Sequence, residues 1–137
     1  MRVIVGVDGS PHADRALSWG CRRAESCGDE VRAVCAWSVG TSGEDWTPQP
    51  GVQPEGQRYA EQILREAVER ARTVHPAVKV ETAVVEGNPG QVLVDMSADA
   101  DLVVVGSRGR GEVSGLLLGS VSQHCVHNAR CPVTVVR

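Results

Sequence analysis

Phenylalanine is absent from this chain of 137 residues, and the aromatics amount to Trp19, Trp37, Trp46 and Tyr59. The core must therefore be built from Val, Leu, Ile and Ala. Long apolar runs are missing too. The opening MRVIVGVDGS breaks off at Asp8, short of a signal peptide's apolar stretch and of the roughly 20 residues of a membrane helix. That predicts a cytoplasmic protein with no membrane partner. There is no basic surplus either: 14 basic residues face 17 acidic ones, for a formal charge of -3. This argues against a general nucleic-acid binder. It leaves room for a small anionic ligand, because a few N–H groups and one Arg can hold a phosphate locally. No C-x-x-C joins any of the five cysteines, Cys21, Cys27, Cys35, Cys125 and Cys131. An odd number without that motif predicts reduced thiols, several of them buried as small apolar groups.

What is present is a regular alternation of two patterns. Arg2–Asp8 reads as a strand. Ser10 and Pro11 then make a helix start, and Ala13, Ala16, Leu17, Gly20, Cys21 and Ala24 recur at helical spacing to about Ser26. Gly28 ends that helix. Glu30–Ser38 is a second strand. Val39–Gly56 is rich in Gly, Pro, Ser and Thr and lacks periodicity, which marks a long loop. A second helix runs from Gln57, with Ala60, Ile63, Leu64, Ala67, Val68 and Ala71 as its apolar stripe, and Pro76 closes it. Val78–Glu86 is a third strand, Gln91–Ala98 a short helix and Asp101–Gly106 a fourth strand. Leu102 to Val105 are continuously apolar, as a strand covered on both faces requires. Gly119–Asn128 is the last helix and Pro132–Val136 the last strand. The alternation predicts a single α/β domain over residues 1–137, with an open parallel sheet and helices on both faces. Right-handed crossovers restrict its topology, and its ligand should sit at the carboxyl ends of the strands.

One segment there carries chemistry. Gly106-Ser107-Arg108-Gly109-Arg110-Gly111-Glu112 directly follows the apolar Leu102–Val105 run, and Gly119-Ser120-Val121-Ser122 opens a helix. Successive N–H groups in a glycine turn form an anion-binding concavity. A helix start adds further donors and a positive dipole end. Ser120 and Ser122 could donate hydroxyls to phosphate, and Arg108 or Arg110 could supply charge. The plain alternative is a flexible loop and a helix cap; position at a strand end favours phosphate. The chain has no G-x-x-x-x-G-K-[ST], and no G-x-G-x-x-G after its first strand, so neither a P-loop nor a dinucleotide fingerprint is present.

Gly106-x2-Gly109-x9-Gly119-Ser120 resembles the G-2x-G-9x-G-[S/T] signature of the ATP-binding universal stress proteins. Val3–Ser10 is similar to that family's opening strand, and Cys131–Val136 to its closing one. The resemblance implies a five-stranded sheet of order 3-2-1-4-5, Rossmann-like and close to the adenine nucleotide alpha hydrolases. It implies that ATP binds, with Mg²⁺. Asp8 would meet the adenosine part, with Gly6 and Val7 beside it, and the backbone of Ala36 would face adenine. Gly106, Gly109, Gly119 and Ser120 would surround the phosphates, flanked by Val105 and Arg108, with Val121 and Ser122 completing the helix start. The family also implies a homodimer, joined here through Val133–Val136.

Other residues invite simpler readings. Asp8 could be a turn acid before Gly9. His124, Cys125, His127 and Cys131 do not make a zinc site, since Cys125 and His127 point to different sides of a helix and structural zinc wants four tetrahedral ligands. His12 should be solvent-exposed. Trp46 could cover a nucleotide or anchor its loop, and the second is the simpler reading. Three functions compete: a regulatory nucleotide binder, an ATPase or nucleotidyl-transferring enzyme, and a dimerising module without nucleotide. Phosphoryl transfer needs a metal-holding acid and a base or water-positioning group near the phosphates. Only Glu112 is acidic near the glycine loop, and no Lys is there, which favours binding with at most slow ATP hydrolysis.

Overall fold

The computed structural model describes residues 1–38, 54–109 and 118–137. Its elements run β1 (Arg2–Gly6), α1 (Pro11–Cys27), β2 (Glu30–Trp37), α2 (Glu55–Val74), β3 (Val80–Glu86), α3 (Pro89–Ser97), β4 (Leu102–Gly106), α4 (Ser120–Asn128) and β5 (Val133–Val136). The strands form one sheet of order β3-β2-β1-β4-β5, with every pair parallel. The expected fold class and strand order are the ones observed.

Strand alternation divides the core into two layers. Val3, Val5, Val31, Ala33, Leu102 and Val104 face α1 and α2, which contribute Ala16, Leu17, Cys21, Leu64 and Val68. Ile4, Val34, Val103 and Val105 face the other way, onto Val92, Leu93 and Cys125 of α3 and α4. Strands clad on both sides tolerate no polar positions at their centre, hence the unbroken LVVV of β4. Small residues on α1, among them Ala13, Ala16 and Gly20, let the helix lie close to the sheet. A Cβ on Gly20 would stand 3.1 Å from Val5 Cγ2.

The element ends follow local chemistry. Ser10 Oγ accepts the Ala13 N–H at 3.1 Å, and Gly28, at φ 72°, returns its N–H to the Ala24 carbonyl. Several expected boundaries shift by one or two residues, four of them by two. β1 stops at Gly6 instead of Asp8, although Val7 N still donates to the Val34 carbonyl at 2.8 Å. α2 starts at Glu55 instead of Gln57. β3 starts at Val80 instead of Val78, because Val78 N is engaged by the His75 carbonyl in the turn after α2. α3 starts at Pro89 instead of Gln91, because Asn88 caps the Gln91 N–H. Most of the Val39–Gly56 loop, with Trp46, lies outside the described residues, as do Arg110, Gly111 and Glu112.

Candidate functional site

The chain leaves β1 toward β2 on one side and returns to β4 on the other. Beyond the carboxyl ends of β1 and β4 this reversal opens a crevice. A cavity of about 660 Å³ lies there, within the ~300–1,000 Å³ usual for small-molecule sites.

Sheet register shapes one wall. Val7 N bonds to the Val34 carbonyl, and Gly87 N to the Trp37 carbonyl at 2.7 Å. Main-chain groups alternate sides along a strand, so Val34 and Ala36 face the β1 side while Trp37 faces β3. Because β1 ends at Gly6, opposite Val34, the N–H and C=O of Ala36 are directed past its end, into the cleft. Val7, Leu93 and Val105 supply apolar surface beside them, and Tyr59, Ala60 and Ile63 of α2 close the far side.

The opposite end is polar. Four helices start at this cavity, and they differ in their caps. α1 is capped by Ser10 and α3 by Asn88, each through a side chain, whereas α2, after Pro54, and α4, after Gly119, have no side-chain cap. The Gly119 N–H is bound by the Ser107 carbonyl at 2.6 Å, and the first helical bond closes from Gln123 N to the Gly119 carbonyl. Helix geometry therefore directs the next N–H groups, those of Val121 and Ser122 among them, outward with the positive dipole end. Such a terminus suits an anion.

All twelve residues singled out in the sequence line this one cavity: Gly6, Val7, Asp8, Ala36, Val105, Gly106, Arg108, Gly109, Gly119, Ser120, Val121 and Ser122. Their individual settings add detail. Ser122 is buried, and its hydroxyl lies 2.9 Å from the Gly119 carbonyl and 3.3 Å from that of Ser107. Its one proton is thus spent on the turn itself. Asp8 Oδ1 accepts the Ser10 N–H at 2.9 Å, so the turn-acid reading of Asp8 is realised while the residue also borders the cavity. Gly106 is constrained from behind: a Cβ there would stand 2.8–2.9 Å from the C, Cβ and O atoms of His12. That same packing leaves His12 half-buried instead of exposed, with Nδ1 2.9 Å from Arg15 Nη2.

Several cavity residues escaped the sequence reading. Tyr59 and Ile63 were absorbed into a helix and its stripe, and Trp37, Asn88 and Leu93 into their own elements. His124 was weighed only as a metal ligand; its imidazole packs on Gly90, 3.0–3.2 Å from where a Cβ would be. Among the described residues no group of three or more His, Cys, Asp or Glu is placed to hold a metal ion. No helix among them is long and apolar enough to cross a membrane.

A profile of the universal stress protein family matches residues 1–137. The chain belongs to the universal stress protein family. A universal stress protein of Mycobacterium tuberculosis is 43% identical over 139 residues, covering 98% of this chain and 45% of the relative. The chain thus spans about half the length of the curated relatives it matches. Among solved structures, a universal stress protein from Archaeoglobus fulgidus superposes with a TM-score of 0.78 at 26% identity, over 100% of this chain and 98% of that one. A universal stress protein crystallised in complex with cAMP gives 0.75 at 27% identity, over 100% and 97%.

Proposed function

We propose that this universal stress protein domain is a cytoplasmic, regulatory ATP binder with slow turnover or none. The observation that carries the reading is the shared cavity: residues scattered from Gly6 to Ser122 border one cleft. It has a backbone edge at one end and a helix N-terminus without a side-chain cap at the other. In this reading adenine bonds to the main chain of Ala36 and stacks among Val7, Leu93 and Val105. Asp8 accepts from the ribose. The phosphates, with Mg²⁺, meet Gly109, Arg108 and the start of α4. The cAMP complex of a relative supports an adenine nucleotide in this fold. Nucleic acid and membrane are not its partners.

The domain pairs with a second copy through β5. That strand is a sheet edge. Its Pro132 and Val136 carbonyls bond inward to Val103 N and Ser107 N, so by alternation the main-chain groups of Val133 and Val135 face outward. An apolar edge with outward donors and acceptors is a template for another strand, and antiparallel pairing across a two-fold axis closes it.

The deciding experiment is to purify the protein, denature it and identify any nucleotide released, then to titrate ATP, AMP and NAD by calorimetry. ATP should bind and NAD should not. No ATP binding at about 1 mM would sink the reading. Phosphate release at about 1–1,000 s⁻¹ that co-purifies with the protein would replace it with an enzyme. Light scattering of the purified protein tests the pairing, and a monomer at all concentrations would refute it.

A further inference from the structure

Ser107 was not among the residues picked for the site, yet its peptide groups join two parts of the molecule. Its N–H donates to the Val136 carbonyl at 2.7 Å, the last inward bond of the edge strand. Its own carbonyl receives the Gly119 N–H at 2.6 Å and faces the Ser122 hydroxyl at 3.3 Å. A continuous run of hydrogen bonds therefore leads from β5 through Ser107 to the first turn of α4. The residue is buried, 8% exposed, so water does not compete for these bonds. A second tie secures the strand: Arg15 Nε donates to the Arg137 carbonyl at 3.2 Å. Arg137 directly follows the last residue of β5. The outward groups left for another strand are those of Val133 and Val135, just before the Val136 carbonyl that holds Ser107.

We infer that Ser107 is a positioning residue that couples pairing at the β5 edge to the anion-binding start of α4, so that nucleotide and a second copy of the chain bind cooperatively. This rests on the nucleotide and dimer readings above and adds the link between them. The physical route is ordering. β5 has four residues and is half-buried throughout, so alone it is a weakly held edge. A strand bonded to Val133 and Val135 fixes β5 and, with it, the Val136 carbonyl. The Ser107 peptide then has one position, and so do the Gly119 and Ser122 groups that depend on it. A phosphate arriving at α4 finds its donors already ordered and gives up less conformational freedom. Linkage makes the effect reciprocal: nucleotide must strengthen the dimer by the factor by which the dimer strengthens nucleotide binding.

The test needs no variant at first. ATP affinity is measured with a labelled ATP tracer at protein concentrations well above and well below the dimer's dissociation midpoint, and that midpoint is measured with and without saturating ATP by sedimentation. We expect the dimer to bind ATP at least about five-fold more tightly than the monomer, and ATP to lower the dimer dissociation constant correspondingly. Equal affinities for dimer and monomer overturn the inference while leaving the nucleotide and dimer readings intact. Absence of ATP binding, or of a dimer, removes the reading beneath it and the inference together. Ser107→Pro then tests the route, because proline has no N–H for the Val136 carbonyl. If that variant folds and dimerises, its affinity ratio should fall to about one, and an unchanged ratio would overturn the role of Ser107. If it does not fold, the dilution measurement on the native protein still decides.

Discussion

At the scale of single residues, glycines that look alike in sequence do different work. Gly106 and Gly6 both end strands at the cavity, and a Cβ on either would come within 2.8 Å of a neighbour. The neighbours differ. At Gly106 they are main-chain and Cβ atoms of His12, in the first turn of α1, which cannot move without displacing the helix. At Gly6 the nearest atom is Leu93 Cδ1, the far end of a side chain that can change rotamer. Gly106→Ala should therefore cost about 1–3 kcal/mol, as overpacking against a rigid wall does, and Gly6→Ala clearly less. Urea melts of the two variants check this, and equal losses would contradict it. Ser122→Ala belongs to the same scale. It removes a buried hydroxyl that faces two carbonyls, and should cost on the order of 1 kcal/mol even without a ligand, since its partners are in the protein.

At the scale of elements, the α1–α2 contact holds a polar cluster that apolar periodicity cannot reveal. His75 caps the C-terminus of α2 and is 4% exposed. Its Nε2 lies 3.1 Å from Ser18 Oγ, and its Nδ1 bonds to Glu25. A carboxylate only accepts, so Nδ1 carries a proton. Despite the Ser–His–Glu arrangement, Ser18 sits within α1, where neighbouring N–H groups serve the helix and no oxyanion site can form. The cluster is a fastener. His75→Ala should lower stability by about 1–3 kcal/mol. Breaking the exposed Arg70–Asp14 pair, also between α1 and α2, should cost under about 1 kcal/mol. Denaturant melts of His75→Ala and Asp14→Asn compare the two links. Two thiols, one in each core layer, make the fold sensitive to alkali. Burial, with Glu25 adding to it, pushes Cys21 under α1 up to about 11 from an ordinary 9.0. Burial, with Cys131 adding, does the same to Cys125 under α4. The unfolded chain loses these protons near pH 9 and the folded one keeps them to about 11, so the native state binds more protons in that window. Stability should therefore be complete below pH 9 and fall as pH rises to 11, by on the order of 2 kcal/mol per thiol. A Cys21→Ala, Cys125→Ala double variant should show a shallower decline; the same slope would refute the assignment.

At the scale of the whole molecule, the parts legible in the sequence are those fixed by local pattern. The alternation of strands and helices, the Ser10 and Gly28 caps and the LVVV centre of the sheet are written in neighbouring residues, and the family resemblance supplied the strand order. Among the residues singled out around one cleft, Gly106, Gly109, Gly119 and Ser120 were legible because a glycine signature keeps its spacing in the chain, while Gly6, Val7, Asp8 and Ala36 came from the family resemblance. Contacts across the fold were not. Nothing near Ser107 in sequence shows that Val136 will hold its N–H. The exposure of His12 was misjudged because its partner, Gly106, is 94 residues away. His75 follows a clear helix and precedes a proline, and its burial depends on Ser18 and Glu25 of another element. The cavity's purpose has a whole-molecule readout. A ligand that binds only the folded state stabilises all of it, and ATP at about a hundred times its dissociation constant adds about 2.7 kcal/mol. For 137 residues that raises the melting temperature by roughly 5–15 °C. NAD, too large for the mononucleotide reading of the cleft, should give no shift. Gly119 locates the effect. Its φ of -73° and ψ of 169° are open to any residue, so Gly119→Val needs no strained backbone. Its side chain would occupy the space before α4 where the phosphates are proposed to lie. The variant should melt cooperatively and show no ATP shift. A full shift in Gly119→Val, with ATP still bound, would mean that the phosphates lie elsewhere in the cleft.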